Sequence, residues 1–170
     1  MKAKINIHYL TRAAIIAAIY TAITLIAVMT PFGTFIFGPI QIRISEALTV
    51  LPALFPSAIP GLFVGCLVTN IIGAATGLAG GALDIVFGSL ATLLAAYLSY
   101  KLRRYKWLVP LPPVIINALV IGWVLHYVFE LSLIATMLTV GAGQAIACYL
   151  LGLPLLLVLE RTQIGKAKQP

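Results

Sequence analysis

The stretch LVPLPPVIINALVIGWVLHYVF, residues 108–129, decides the class of this protein, because its 22 residues include no Lys, Arg, Asp or Glu. The hydrocarbon core of a bilayer is about 30 Å thick, and roughly 20 apolar helical residues cross it. The stretch is therefore long enough for one transmembrane helix. Of the 170 residues of the chain, 62% are apolar and 9% are charged, which leaves too few polar side chains to cover a water-soluble globule.

Further apolar runs lie on both sides of this stretch, separated by clusters of polar residues, Pro and Gly. We predict an all-α, polytopic membrane protein whose six transmembrane helices form a single domain, residues 1–170. The predicted spans are residues 13–30, 47–55, 59–75, 83–100, 108–129 and 131–159. The second is too short to cross a bilayer, so we expect it to extend back into residues 40–46. A signal peptide is a poor interpretation of the first span, because five further spans follow it.

The basic residues indicate the orientation, because they lie in alternate connections. They precede the first predicted span, separate the fourth from the fifth and follow the sixth: Lys2, Lys4, Arg12, Lys101, Arg103, Arg104, Lys106, Arg161, Lys166 and Lys168. The positive-inside rule then predicts that both termini are cytoplasmic. We expect a multi-pass protein of the plasma membrane. The same rule explains the net charge of +7, so we predict no nucleic-acid partner.

Acidic residues lie on the opposite side of the predicted bundle. Glu46, Asp84 and Glu130 all fall in or beside outward-facing connections. Arg43 precedes Glu46 at the helical spacing i, i+3, so these two charges either neutralise one another or are retained to hold a polar ligand. The sequence leaves both interpretations open.

Four residues of the fifth span share one helical face near the outer interface. Trp123, His126, Tyr127 and Glu130 follow the i, i+3, i+4, i+7 pattern. This face is either the wall of a binding site or part of an aromatic belt at the level of the lipid headgroups.

Polar residues from other spans favour a ligand site. Asn70, Asp84 and Gln144 bring amide and carboxylate groups to the same outer half of the bundle. Polar groups at such depth usually face a bundle interior or a cavity. We therefore predict a substrate site that includes Arg43, Glu46, Asn70, Asp84, Trp123, His126, Glu130 and Gln144. For Asn117, nearer mid-membrane, we expect a hydrogen bond between helices instead.

The motifs of catalysis and metal binding are missing from the sequence. It contains no HExxH motif, no GxSxG motif and no His and Cys arrangement suited to hydrolysis. His126 and Glu130 at i, i+4 are only two potential metal ligands, and a site needs at least a third. We predict that the chain is not an enzyme and holds neither a metal nor a cofactor.

The first span contains small residues at overlapping four-residue intervals, at Ala13, Ala14, Ala17 and Ala18. Such a pattern lets another helix approach closely. The neighbour is either a helix of the same chain or a helix of a partner protein.

Two runs carry a resemblance to a known family. They are PIQIRISEALTVLPALFPSAIPGLFVGC, residues 39–66, and GGALDIVFGSLATLLAAYLSYKLR, residues 80–103. Both look like the QueT family, whose members are substrate-capture (S) components of energy-coupling factor (ECF) transporters. Beyond residue 108 the likeness is in the six-helix plan alone.

The resemblance implies an S component that binds a queuosine precursor, a 7-deazaguanine such as queuine or its aminomethyl relative, at the extracellular side. It also implies a transmembrane coupling subunit and two cytoplasmic ATPase subunits, which use the ATP. The alanines of the first span would meet the coupling subunit, through Ala14 and Ala18 or through Ala13 and Ala17. Thiamine, another flat cation, would suit an acidic aromatic pocket nearly as well. A self-sufficient secondary transporter is the other alternative, although the sequence shows no internal repeat.

Overall fold

The computed structural model describes residues 7–31, 33, 36, 41–77 and 81–162, and within these ranges the chain is helical and has no strand. The basic residues Lys2, Lys4, Lys166 and Lys168 lie outside the described residues. The helices, in chain order, are α1, Ile7–Val28; α2, a 3-10 helix, Ile44–Ala53; α3, Ala58–Ala75; α4, which begins with the π-helical turn Asp84–Gly88 and continues as Ser89–Lys101; α5, Leu111–Phe129; and α6, which runs as Leu133–Ala145, the π-helical segment Ile146–Gly152 and Leu153–Arg161. A 3-10 turn, Lys106–Leu108, precedes α5.

Among the described residues, four helices are long and apolar enough to cross a membrane. They are α1, α3, the segment Lys106–Phe129 that contains α5, and the whole of α6. The ten residues of α2 span about 20 Å at the rise of a 3-10 helix, which is less than the hydrocarbon thickness. Four of the six predicted membrane spans are thus supported, and the crossings by α2 and α4 stay predictions.

Prolines account for several features of these helices. Pro112 and Pro113 lie in the first turn of α5, where a missing backbone N–H costs no helical hydrogen bond. Pro154 lies inside the continuous helix α6, immediately after its π-helical segment. A proline there removes one i to i−4 hydrogen bond, and a π-helical turn lets the chain continue around that gap.

Glycine and alanine bring α1 and α3 into close contact. A Cβ atom added at Gly61 would lie 2.7 Å from the main-chain oxygen of Ala13, and one at Gly65 would lie 3.0 Å from that of Ala17. Small residues at a helix interface permit this approach of two backbones. The first-span alanine pattern is therefore used, in part, for packing within the chain.

The distribution of polarity suits a protein surrounded by lipid. Charged and amide side chains such as Arg43, Glu46 and Asp84 are buried, whereas many Ile, Leu and Val side chains on the outside of the helices are exposed. In membrane proteins the polar groups face the bundle interior, because hydrocarbon offers them no hydrogen bonds.

Several basic residues gather at one end of the bundle. The Arg12 guanidinium lies 5.7 Å from the ring centroid of Phe55, in the α2–α3 connection. The Lys106 ammonium lies 2.6 Å from a carboxylate oxygen of Glu160, near the end of α6. Phe55 and Leu159 pack against the same hydrophobic cluster. The start of α1, the α4–α5 connection and the end of α6 therefore lie on the same side.

Candidate functional site

A cluster of charged side chains lies inside the bundle. Arg43, at the start of α2, is 4% exposed, Glu46 is 1% exposed and Asp84, in the π-helical turn of α4, is 0% exposed. The Arg43 guanidinium lies within electrostatic range of the carboxyl groups of Glu46 and Asp84. The structure thus brings the predicted pair Arg43 and Glu46 into one cluster and adds Asp84 from another helix.

Glu46 is held by side chains from two other helices. The Tyr20 hydroxyl of α1 donates to Oε1 at 2.5 Å, and the Asn117 amide of α5 donates to Oε2 at 3.5 Å. The expected interhelical hydrogen bond of Asn117 is therefore confirmed. Next to these contacts, the Thr24 hydroxyl donates to Ser45 at 2.7 Å and adds a second polar link from α1 to α2.

Asn70 connects α3 to the irregular start of α4. Its Nδ2 donates to the main-chain oxygen of Asp84 at 2.8 Å and lies 3.4 Å from Cys66 Sγ. A π-helical turn changes the regular i to i−4 hydrogen bonding, and such turns occur frequently at functional sites. The predicted neighbours Asn70 and Asp84 are thus in direct contact, through the side chain of one and the main chain of the other.

Gln144 and Gln41 place amides beside α6. Gln144 is 2% exposed and accepts from Cys148 Sγ at 3.7 Å. Cys148 in turn lies 3.6 Å from the main-chain oxygen of Glu46, so this part of α6 borders the charged cluster. Gln41 contacts Gly143 through its main-chain oxygen, and its Nε2 is buried with no hydrogen-bond acceptor in the described chain.

Trp123, His126 and Glu130 lie apart from these contacts. Trp123 is 42% exposed and stacks on Tyr127 with ring centroids 6.0 Å apart, and Phe87 meets its edge at 5.7 Å. His126 Nδ1 is 2.5 Å from the main-chain oxygen of Leu131. Glu130 is exposed at the end of α5. The exposure of Trp123 and its stacking on Tyr127 favour the aromatic belt over the binding wall for these two residues.

An apolar pocket of about 640 Å³ lies between the end of α1 and the start of α2. Its lining is Ile23, Ile26, Ala27, Thr30, Ile36, Ile42 and Ile44. Side chains alternate along the extended backbone here, so Gln41 and Arg43 are buried in the bundle while Ile42 and Ile44 face the pocket. The pocket is thus separate from the charged cluster of Arg43, Glu46 and Asp84, and it offers a ligand few hydrogen-bond partners.

The described residues contain no group of three or more His, Cys, Asp or Glu that could hold a metal ion. The buried polar groups are instead carboxylates, amides, hydroxyls and one guanidinium. Such a set can bind a neutral or cationic polar ligand through several hydrogen bonds.

The four alanines of α1 divide between two faces. Ala13 and Ala17 are buried against α3, whereas Ala14 and Ala18 are exposed. Of the two pairs that the resemblance implied for a partner, only Ala14 and Ala18 lie at the surface of this chain.

Sequence reasoning missed Gln41, Tyr20 and Ser89 as members of the buried polar set. The sequence does contain a signal for Gln41. Apolar and polar residues alternate at Ile40, Gln41, Ile42 and Arg43, which predicts that Gln41 and Arg43 point to the same side. Tyr20 and Ser89 carried none, since Tyr and Ser are ordinary in membrane helices.

Comparison with known proteins gives one result. Residues 10–161 match the family model described as QueT transporter. No curated protein and no solved structure shows a significant match to the chain.

Proposed function

We propose that this chain, which belongs to the QueT transporter family, is the substrate-capture subunit of an energy-coupling factor importer. Its ligand would be a queuosine precursor, a 7-deazaguanine such as queuine or 7-aminomethyl-7-deazaguanine. The family match covers residues 10–161 and agrees with the resemblance of the two runs at residues 39–66 and 80–103. Membership of a transporter family also suggests that the chain is not an enzyme.

The observation that carries the proposal is the burial of Arg43, Glu46 and Asp84 among apolar helices. Ionised groups in such a place are costly unless they are paired, and they usually mark a substrate path. A deazaguanine offers adjacent N–H donors that a carboxylate accepts as a charge-assisted pair. Its ring carbonyl would accept from Arg43 or Gln144.

The proposed site has an inner and an outer part. Arg43, Glu46, Asn70, Asp84 and Gln144 form the inner part, because all five are buried. The residues that lie nearer the surface, Trp123, His126 and Glu130, would meet the ligand only as it enters. The aminomethyl cation of one precursor would favour a second carboxylate near the ring.

In the proposed arrangement the protein lies in the plasma membrane, crosses it six times and has both termini in the cytoplasm. The clustering of Arg12, Lys106 and Arg161 at one end of the bundle supports this orientation, because basic residues accumulate in cytoplasmic connections. The proposed ligand site is then reached from the extracellular side.

Transport would require partners. The proposed contact with a transmembrane coupling subunit is the exposed face of α1 at Ala14 and Ala18, and two cytoplasmic ATPase subunits would supply the energy. ATP would be used by those subunits, so the capture subunit itself needs no cofactor.

Calorimetric titration of the purified protein tests the proposal. We expect tight binding of a 7-deazaguanine and weaker binding of thiamine, and mass spectrometry of any small molecule that copurifies gives a second readout. Tight binding of thiamine together with no binding of any deazaguanine would show that the proposed ligand is wrong. Uptake by cells that lack ATPase partners would show that the chain is a self-sufficient transporter.

A further inference from the structure

The amide of Asn70 is held in one orientation. Its Nδ2 lies 2.8 Å from the main-chain oxygen of Asp84, where an amide oxygen would set two acceptors against each other. Gly88 leaves room for this arrangement, because a Cβ atom there would lie 2.8 Å from Nδ2. The other end of the amide, Oδ1, is therefore fixed in direction.

Oδ1 of Asn70 is a buried acceptor. The residue is 0% exposed, and no donor in the described part of the chain lies within hydrogen-bonding distance of Oδ1. Native structures rarely leave a buried polar atom without a partner, because burial removes its hydrogen bonds to water. An acceptor held in this way is suited to a donor that arrives with a ligand.

We propose that Asn70 Oδ1 accepts a hydrogen bond from an N–H group of the bound ligand and so determines specificity for that group. The inference rests on the proposed function and assigns Asn70 the role of an acceptor. Its NH₂ group already donates to the main-chain oxygen of Asp84, so Asn70 binds an N–H donor of the ligand and not a ring carbonyl. A 7-deazaguanine carries three kinds of N–H donor, on the lactam ring, the exocyclic amine and the pyrrole ring.

Glu46 differs from Asn70 in the hydrogen bonds that its side-chain oxygens accept from the protein. Each of its carboxylate oxygens already accepts one hydrogen bond, Oε1 from Tyr20 and Oε2 from Asn117, so a ligand would add a second hydrogen bond to an oxygen that already has a partner. No donor from the described chain competes at Asn70 Oδ1. A site that hydrogen-bonds a substrate N–H rejects analogues that lack it by large factors, because its own acceptor is then left unpaired.

Calorimetry with matched ligands tests the inference. The ligands are 7-deazaguanine, 7-deazahypoxanthine, which lacks the exocyclic amine, and the two derivatives methylated on the lactam nitrogen or on the pyrrole nitrogen. We expect the wild-type protein to bind at least one analogue more than about tenfold more weakly than 7-deazaguanine. In Asn70→Ala the ratio of the affinity for 7-deazaguanine to the affinity for that analogue should fall close to one.

A purely structural role for Asn70 predicts a different result. Asn70→Ala would then weaken the binding of all four ligands by a common factor and keep the wild-type ratios of their affinities. This result would overturn the inference. A water molecule bound at Oδ1 in place of the ligand N–H group predicts the same result. If the wild-type protein binds no deazaguanine, the proposed function fails, and this outcome is seen without any variant.

A second variant keeps the test decisive if Asn70→Ala does not fold. Gly88→Ala places a Cβ atom against the Asn70 amide and should abolish the same discrimination. Gly141→Ala is the matched control, since its Cβ atom would meet only Ala118 Cβ, at 3.3 Å. Retained discrimination in a folded Gly88→Ala protein would count against the inference, and the melting temperature of each variant reports whether it is folded.

Discussion

Glu46 links more of the bundle than any other residue discussed above. Its carboxylate accepts from Tyr20 of α1 and Asn117 of α5, and its main-chain oxygen accepts from Thr49 at 2.6 Å and lies near Cys148 of α6. In a medium of low dielectric constant such hydrogen bonds are strong, and a group that loses its partner is correspondingly costly. The residue thus stabilises the packing of four helices as well as the charge of the site.

Tyr20→Phe should therefore destabilise the protein. The change removes the hydroxyl that donates to Glu46 Oε1 and leaves a buried oxygen with one partner fewer, which costs about 1–3 kcal/mol. Thermal unfolding of the purified protein in detergent measures the effect. Tyr127→Phe, on the exposed side of α5, is the control and should leave the melting temperature unchanged. Equal stability of the two variants would show that the hydrogen bond contributes nothing.

Asp84→Asn should weaken binding of the deazaguanine more than tenfold, which corresponds to about 1.4 kcal/mol. The variant keeps the shape of the side chain but replaces a carboxylate, which lies within electrostatic range of Arg43 and would accept from the ligand, with a neutral amide. Calorimetric affinity is the measurement. Glu160→Gln makes the same chemical change at the opposite end of the bundle, beside Lys106, and should leave the affinity unaltered. An unchanged affinity of Asp84→Asn would remove Asp84 from the proposed site.

At the scale of the elements, the proposed site coincides with irregular helices. Glu46 lies in a ten-residue 3-10 helix, Asp84 in a π-helical turn and Cys148 in a π-helical segment. Runs of 3-10 helix this long are uncommon, and π-helical turns are often found at functional sites. Side-chain hydrogen bonds from the regular helices α1, α3 and α5 hold the first two of these segments: Tyr20 and Asn117 donate to Glu46, and Asn70 donates to Asp84.

Gly61→Ala tests the packing of α1 on α3. The added Cβ atom would lie 2.7 Å from the main-chain oxygen of Ala13, so the two helices must separate, at a cost of about 1–3 kcal/mol. We expect a lower melting temperature for this variant. Gly141→Ala adds the same atom where the nearest contact is 3.3 Å and should have little effect. If both variants melt alike, the close approach of α1 and α3 is not important for stability.

At the scale of the whole molecule, the bundle has a polar interior and an apolar exterior. Arg12 and Lys106 lie at the same end of the bundle, which supports the proposed orientation in a membrane. Large aliphatic side chains such as Ile115, Leu119 and Leu138 are exposed on the surface, and on α1 the exposed Ala14 and Ala18 lie beside the exposed Ile15 and Ile19. The proposed partner surface is the part of α1 at Ala14 and Ala18, where small side chains would permit close approach of a helix of another protein.

Cysteine labelling in whole cells tests the direction. Ser132→Cys, in the α5–α6 connection, should react with a membrane-impermeant thiol reagent added outside. Tyr105→Cys, in the α4–α5 connection, should react only after permeabilisation. Both positions are exposed, and the native Cys66 and Cys148 are buried, so they should contribute little background. The opposite labelling pattern would reverse the proposed orientation.

The variant Ala14→Leu combined with Ala18→Leu tests the partner surface. Two large side chains on this exposed face should prevent close approach of a partner helix, so the variant should fail to copurify with the coupling subunit while its ligand affinity stays unchanged. Ala135→Leu combined with Ala142→Leu places the same side chains at exposed positions of α6 and should not impair assembly. Normal assembly of the α1 variant would show that the partner binds elsewhere.

The sequence by itself determined the class of protein and the positions of its helices. Composition and the length of apolar runs are local properties, so they were sufficient for an all-helical membrane protein, and each predicted span overlaps a helix of the structure. The i, i+3, i+4 spacing likewise predicted that Trp123 and Tyr127 share a face, and their rings stack. The resemblance of two runs to the QueT family was confirmed.

Only the tertiary structure decided which polar groups meet. It paired Tyr20 and Asn117 with Glu46, joined Asn70 to Asp84 and left Trp123 at the surface. The physical reason is that each helix can rotate about its axis, and one extra residue in a π-helical turn rotates the remainder of that helix by about 100°. Spacing along one helix therefore defines a face, but the packing of the other helices determines whether that face points inward.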